Sequence, residues 1–137
     1  MEVAAQAVGI AGGSLEQAIA FAKKRYTFGR PIIEHQGLQW MLAEMATQVE
    51  AARSFLYDVS YRFDRGESQV GPQTAMVKIF ASDVAMRVST DAVQVFGGVG
   101  YMEDLPLERM MRDAKATQIY LETNQIEKMV ISNHLKR

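Results

Sequence analysis

The feature that most constrains this chain is the placement of its three prolines, Pro31, Pro72 and Pro106, each in a gap between stretches with helical periodicity. Proline has no N–H to give and its ring locks φ, so it opens or ends helices and is excluded from their interiors. Between the first two prolines, residues 34–65 place Leu38, Leu42, Met45, Val49, Ala52, Leu56, Val59 and Phe63 three or four apart. Such spacing lines one face of a helix, which at about 1.5 Å per residue would be roughly 45 Å long. A compact domain of this size needs less, so the helix is expected to extend into a partner's surface.

The flanking segments read the same way. From Glu2 to Tyr26 the residues Ile10, Leu15, Ile19 and Ala22 approximate one face, with Gly12-Gly13 expected to interrupt the helix. From Gln73 to Phe96, Met76, Phe80, Val84 and Val88 form one apolar row and Ile79, Met86 and Val93 a second. Asp83, Arg87 and Asp91, four apart, are expected to pair along the solvated side. Gly97-Gly98-Val99-Gly100 closes this helix, Pro106 opens a short one through about Ala114, and Thr123 or Asn124 caps a fifth reaching His134. Neither a convincing alternating strand nor an internal repeat is present. The expected architecture is all-α: one domain over residues 1–137, an up-down bundle of four to five helices.

Composition then removes whole classes of function. Fifteen Lys and Arg against 16 Asp and Glu leave a net charge of -1, which makes no electrostatic case for a nucleic-acid partner or an anionic membrane. The absence of cysteine excludes a disulfide scaffold, thiolate catalysis and cysteine-ligated metal. His35 and His134 have no third ligand at metal spacing, so no metal site is expected. Apolar stretches are too short to span a membrane and no signal peptide is legible, which leads us to expect a soluble intracellular protein. Met41, Met45, Met76 and Met86 fall at core spacings, and Trp40 and Tyr120 read as packing. The glycine cluster lacks the preceding strand of a dinucleotide fingerprint and, taken alone, reads as a helix C-cap.

In order along the chain come Arg25-Tyr26-Thr27-Phe28-Gly29, Glu34-His35-Gln36, Gln94-Val95-Phe96-Gly97-Gly98-Val99-Gly100-Tyr101, Arg109-Met110-Met111-Arg112-Asp113-Ala114-Lys115, Gln118-Ile119-Tyr120 and Thr123-Asn124-Gln125-Ile126. This series resembles the C-terminal domain of acyl-CoA dehydrogenases over essentially the whole chain. The family's N-terminal helical and middle β-domains have no counterpart here. The resemblance implies an FAD enzyme that oxidises the Cα–Cβ bond of an acyl-CoA thioester, with a glutamate as base and the flavin as hydride acceptor. It also implies an electron-transfer partner, assembly as a homodimer or homotetramer, and a place in the cytoplasm or, in a eukaryote, the mitochondrial matrix. The isolated chain is expected neither to turn over nor to retain FAD.

Position by position, Arg25 resembles the partner of the FAD pyrophosphate, a task suited to a forked, permanently charged donor. Phe28 would line the same site, and His35 and Gln36 fall where the family touches FAD. Gln94, Gly97 and Gly98 resemble the segment that meets the ADP half from a neighbouring subunit. Thr123 and Gln125 match positions beside the flavin and pyrophosphate, with a plain N-cap as the alternative role of Thr123. The phosphate-binding groups, Arg25, the glycines and Thr123, are expected to converge on one side of the bundle to cradle a dinucleotide's phosphates, and their dispersal to opposite surfaces would end the flavoprotein reading. The Arg109, Arg112 and Asp113 cluster reads as mainly structural.

One departure stands out. Many members read Tyr-Glu-Gly-Thr where this chain has Tyr120-Leu121-Glu122-Thr123. Leu121 thus occupies the base's position and cannot accept a proton, whereas Glu122 sits where glycine is usual. Three readings stay open: Glu122 as base through an altered loop, another carboxylate as base (Glu2 being the nearest on the first helix, though poorly aligned), or a helical oligomerisation module without catalysis.

Overall fold

Helix α1 covers Glu2–Lys24 without interruption, so the glycine pair does not break it. Gly12 and Ser14 are buried with Ala4, Ala7, Val8, Ala11, Ala18 and Ala22, and the expected Ile10, Leu15 and Ile19 lie only partly buried beside them. Small side chains thus form the inner face, and glycine there widens the close-packed stripe at a modest cost in propensity. A computed structural model describes residues 1–67 and 70–136 of the chain.

After α1 comes a feature absent from the sequence reading, a two-stranded antiparallel hairpin pairing β1 (Tyr26–Thr27) with β2 (Arg30–Pro31). Its two-residue loop has positive φ at both Phe28 (49°) and Gly29 (79°), the backbone of a type I′ turn. Strands this short leave no alternation to detect. A 3-10 turn over Ile32–Glu34 leads into α2, Gln36–Asp64. Leu42, Met45, Val49, Ala52, Leu56 and Val59 are buried as predicted, whereas Phe63 is 60% exposed and Trp40 66% exposed. Neither aromatic is therefore core packing within this chain.

Helix α3, Gly71–Phe96, is central and packs against α1, α2, α4 and α5. Its buried positions are mostly small: Ala75, Ala81, Ser82, Ala85, Ser89 and Ala92, with Val77, Val84 and Val88. Phe80 of the predicted row emerges to 40% exposure and meets Phe55 of α2 edge-on at 6.3 Å. The predicted charge ladder on α3 is replaced by something else, since Asp83 accepts hydrogen bonds from Gln118 and Asn124. Gly97, at φ 67°, caps α3 as expected, and a 3-10 turn follows over Gly97–Tyr101. A Cβ on Gly100 would stand 2.6 Å from Phe96 Cβ and 3.0 Å from the Val93 carbonyl oxygen, so this turn folds back onto α3 only with glycine there. The last helices are α4, Leu107–Thr117, and α5, Asn124–Leu135.

Side-chain contacts give the directions. Phe21 stacks on Phe96 with centroids 4.1 Å apart, and Val3 shares a cleft with Thr74, so α1 and α3 run the same way. Between them α2 runs oppositely, its Phe63 returning to that cleft. Ser14 meets Met110, and Tyr120 donates to Gln6, so α4 also opposes α1. An up-down-up-down bundle results, and α5 lies level with the Met76–Asp83 stretch of α3, placing Ile131 beside Phe55 and Phe80. All-α architecture holds apart from the hairpin.

Candidate functional site

Arg25 ends α1 with extended backbone, φ -82° and ψ 130°, and its carbonyl accepts from the Ile32 N–H at 2.8 Å. That bond folds the hairpin over the helix end and leaves the Arg25 side chain exposed. Among the described residues its guanidinium has no carboxylate within ion-pair distance. Phe28, at the hairpin tip, is 97% exposed and meets the His35 ring edge-on. Arg30 reaches His35 Nδ1 at 3.1 Å, and Thr27 Oγ1 lies 3.0 Å from Nε2. Arginine can only donate, so in a neutral His35 the Nδ1 accepts and the proton sits on Nε2, donated to Thr27. Gln36 begins α2 directly after, exposed.

The Phe21–Phe96 stack brings this end of α1 to the end of α3 that bears Gln94, Gly97 and Gly98. All three are exposed, and no atom lies within 4 Å of where a Cβ would stand on either glycine. A forked cation, an exposed aromatic ring and backbone open to close approach therefore share one end of the bundle. The cation and the ring suit a dinucleotide's phosphates and rings, and the bare backbone leaves room for it to come close.

Glu122, Thr123 and Gln125 lie at the other end. Thr123 is the N-cap of α5, its Oγ1 accepting from the Ile126 N–H at 3.4 Å. Asn124 is tied to Ser82 and Asp83 of α3, and Lys78 Nζ reaches the Glu122 carbonyl at 2.7 Å. From Lys78 to Gly97 is 19 residues of sequence numbering, about 28 Å of helix. The expectation that Arg25, the glycines and Thr123 converge on one side of a single chain is thus corrected. The parallel course of α1 and α3 sends the hairpin and the glycines to one end, and the return of α4 brings Thr123 back to the opposite one.

At the Thr123 end a cleft of about 520 Å³ is lined by Glu2, Phe63, Lys78, Leu121 and Glu127, among others. Leu121 is the member of the departing turn found on this wall, and Glu122 is exposed. Both have positive φ, 50° and 95°. A side chain in such backbone costs on the order of 1–3 kcal/mol, and the conformation explains why glycine suits position 122. With Phe28 they are the three non-glycine residues of positive φ among the described residues, and all lie in segments singled out from the sequence. Sequence reasoning missed Lys78. It is 3% exposed, yet in the sequence it is one lysine in an amphipathic helix, with nothing to mark it as buried.

Burial, and secondarily the nearby Glu122, raises the Glu127 carboxyl above its ordinary 4.5. The folded chain therefore holds that proton more tightly than the unfolded chain. The associated stability is present below pH 4.5 and is lost as pH rises through the raised value. A Glu127→Gln chain should gain in melting temperature over the parent between pH 4 and pH 7; a gap that stays constant across this range would remove Glu127 as its source.

These features define an all-α domain with polar, glycine-rich and strained segments gathered at its two ends. The sequence profile described as acyl-CoA dehydrogenase, C-terminal domain, matches residues 1–136, and the chain belongs to that family. It is 56% identical to the probable acyl-CoA dehydrogenase FadE25 of Mycobacterium tuberculosis over 98% of this chain and 35% of that protein. Butyryl-CoA dehydrogenase from Megasphaera elsdenii superimposes with a TM-score of 0.95 at 47% identity, over 98% of this chain and 35% of that one. The FAD complex of PigA gives 0.91 at 30% identity, over 97% and 34%. The chain thus spans about a third of the length of the relatives it matches. No helix among the described residues is long and apolar enough to cross a membrane, and no group of three or more His, Cys, Asp or Glu among them could hold a metal ion.

Proposed function

We propose that this domain serves an FAD-dependent acyl-CoA dehydrogenase in which each flavin site is shared between two subunits of a homodimer or homotetramer. One subunit contributes Arg25, Phe28, His35, Gln36, Gln94, Gly97 and Gly98, and the other contributes Thr123 and Gln125. The observation that carries this reading is the separation of the two sets to opposite ends of one chain, which ends a flavin site built by one chain alone and supports one shared between two. A dinucleotide cannot touch both ends of one bundle, but it can lie between the end of one and the opposite end of another. FAD, when bound, supplies the hydride acceptor for oxidation of the thioester's Cα–Cβ bond. Arg25 would pair with its pyrophosphate, the open backbone at Gly97-Gly98 would receive the ADP half, and the N-terminus of α5 would favour the phosphate charge. The bacterial relative and the FAD complex of PigA support a cytoplasmic flavoprotein, with a separate electron-transfer partner to reoxidise it.

Of the three readings of the base, the exposure of Glu122 beside Leu121 on the cleft wall supports a carboxylate other than Glu122. Leu121 presents an apolar side chain to the cleft, and a base must come within about 3 Å of the proton it removes. Joined to the domains its relatives carry, the chain should give a yellow protein that reduces an acceptor dye with acyl-CoA, at the same rate when Glu122 is changed to Gln. A large loss in Glu122→Gln would restore Glu122 as base. A yellow protein without turnover in either form would favour the second reading, a helical assembly module, which Leu121 on the cleft wall supports. A colourless protein would count against both the flavin and the shared site.

A further inference from the structure

Lys78 sits on α3 with 3% of its surface exposed, and among the described residues no carboxylate lies within ion-pair distance of its ammonium. Its partners are uncharged: the Glu122 carbonyl at 2.7 Å and Asn124 Oδ1 at 2.8 Å. Burying an ammonium is unfavourable in itself, and burial lowers its pKa by more than the nearby Glu127, Asp83 and Glu122 carboxylates raise it. Such a group persists where its hydrogen bonds hold something that nothing else holds. Asn124 is already fastened, by Ser82 Oγ at 2.9 Å and Asp83 Oδ1 at 3.0 Å. The bond peculiar to Lys78 is the one to the Glu122 carbonyl, on the turn where Leu121 and Glu122 both have positive φ.

We propose that Lys78 is a positioning residue whose buried ammonium clamps the Leu121–Glu122 turn in backbone that neither side chain prefers, and thereby keeps residue 121 on the cleft wall. The closing bond of the loop, Asn124 N–H to the Gln118 carbonyl at 3.0 Å, joins its ends but leaves the two strained residues free to relax. Without the clamp, Leu121 and Glu122 would return toward negative φ and re-aim their side chains. That this turn adjoins the reacting thioester rests on the function proposed above; the clamp itself does not.

The test is amide hydrogen exchange on the 137-residue chain in three variants: Lys78→Met, Glu122→Gly and the two combined. Methionine keeps the length of the side chain and removes the ammonium. Lys78→Met should speed exchange at the amides of Asn124, Ile126 and Glu127 by about ten- to a hundredfold, the scale of losing a hydrogen bond from a charged donor. Val88 and Ala92, deep in α3, should keep their protection. Adding Glu122→Gly should return the three reporters to within about threefold of the parent, because glycine adopts the required φ without strain. A lysine that merely glues α3 to α5 predicts no such rescue, so a combined variant as fast as Lys78→Met overturns the clamp. Should Lys78→Met fail to fold, Glu122→Gly alone decides: slower exchange at the reporters supports the clamp, and unchanged exchange overturns it. In the longer enzyme, Lys78→Met should lower kcat more than it changes KM, with recovery on adding Glu122→Gly. Rescued exchange in a protein that never turns over would uphold the clamp and reject the proposed function.

Discussion

Exchanging Ala85 for leucine should lower stability by about 3 kcal/mol and the melting temperature by roughly 10 °C. Ala85 is 0% exposed, on a helix that four others surround. The core that α1 and α3 build is small by composition, with Ala7, Ala11, Ala18, Ala81, Ala85 and Ala92 all fully buried. Small side chains let helix axes approach closely and leave no void for extra methyl groups, so the helices must part or the leucine must leave its rotamer. The same exchange at Ala51, on the exposed side of α2, should change stability by less than about 0.5 kcal/mol. Thermal melts followed by circular dichroism would settle the matter, and equal midpoints for the two variants would refute a tightly packed small-residue core.

Changing Arg25 to alanine in the longer enzyme should weaken FAD binding by about ten- to a hundredfold, the loss of a charge-assisted bidentate contact with phosphate. Lysine at the same position should recover only part of it, since an ammonium has no fork. The structure sharpens this prediction, because Arg25 and Thr123 of one chain are too far apart to serve one flavin. Subunits carrying Arg25→Ala, mixed with subunits carrying Thr123→Ala and Gln125→Ala, should form mixed dimers with one site built from two intact ends. Each homodimer would lose flavin, whereas each mixed dimer would keep a single tight one. Flavin content measured after separating differently tagged dimers checks this, and equal loss in all three species would mean that both ends of one chain serve the same flavin.

Most of the helical bundle was legible along the chain. The row from Leu42 to Val59 is buried as its spacing predicted, because a helix paired with one neighbouring layer buries whatever recurs every three or four residues. Elsewhere pattern misled for identifiable reasons. Phe63 continues the apolar row of α2 but lies at its last turn, on the wall of the open cleft, and Trp40 projects from the face opposite that row, so both remain exposed. Large apolar residues drew attention on α1, whereas the contact there is made by alanines, whose small surface gives a weak periodic signal. The hairpin at Tyr26–Pro31 has strands of two residues each, too short to alternate. The tilt of Asp83 toward α4 and α5, rather than along its own helix, depends on partners 35 and 41 positions away.

For the site the division is similar. The ordered motifs, through the family they resemble, were enough to pick out Arg25, Phe28, the Gly97-Gly98 pair, the Leu121–Glu122 departure and Thr123, whereas the glycines taken alone read as a helix C-cap. Where those groups stand relative to one another was not written in any local stretch. It follows from the shared direction of α1 and α3 and from the return of α4, which together part the groups to two ends. The burial of Lys78 against the strained turn is of the same kind. A lysine's surroundings are set by packing across 44 positions of sequence, and only the assembled bundle buries its ammonium and aims it at the Glu122 carbonyl and Asn124 Oδ1.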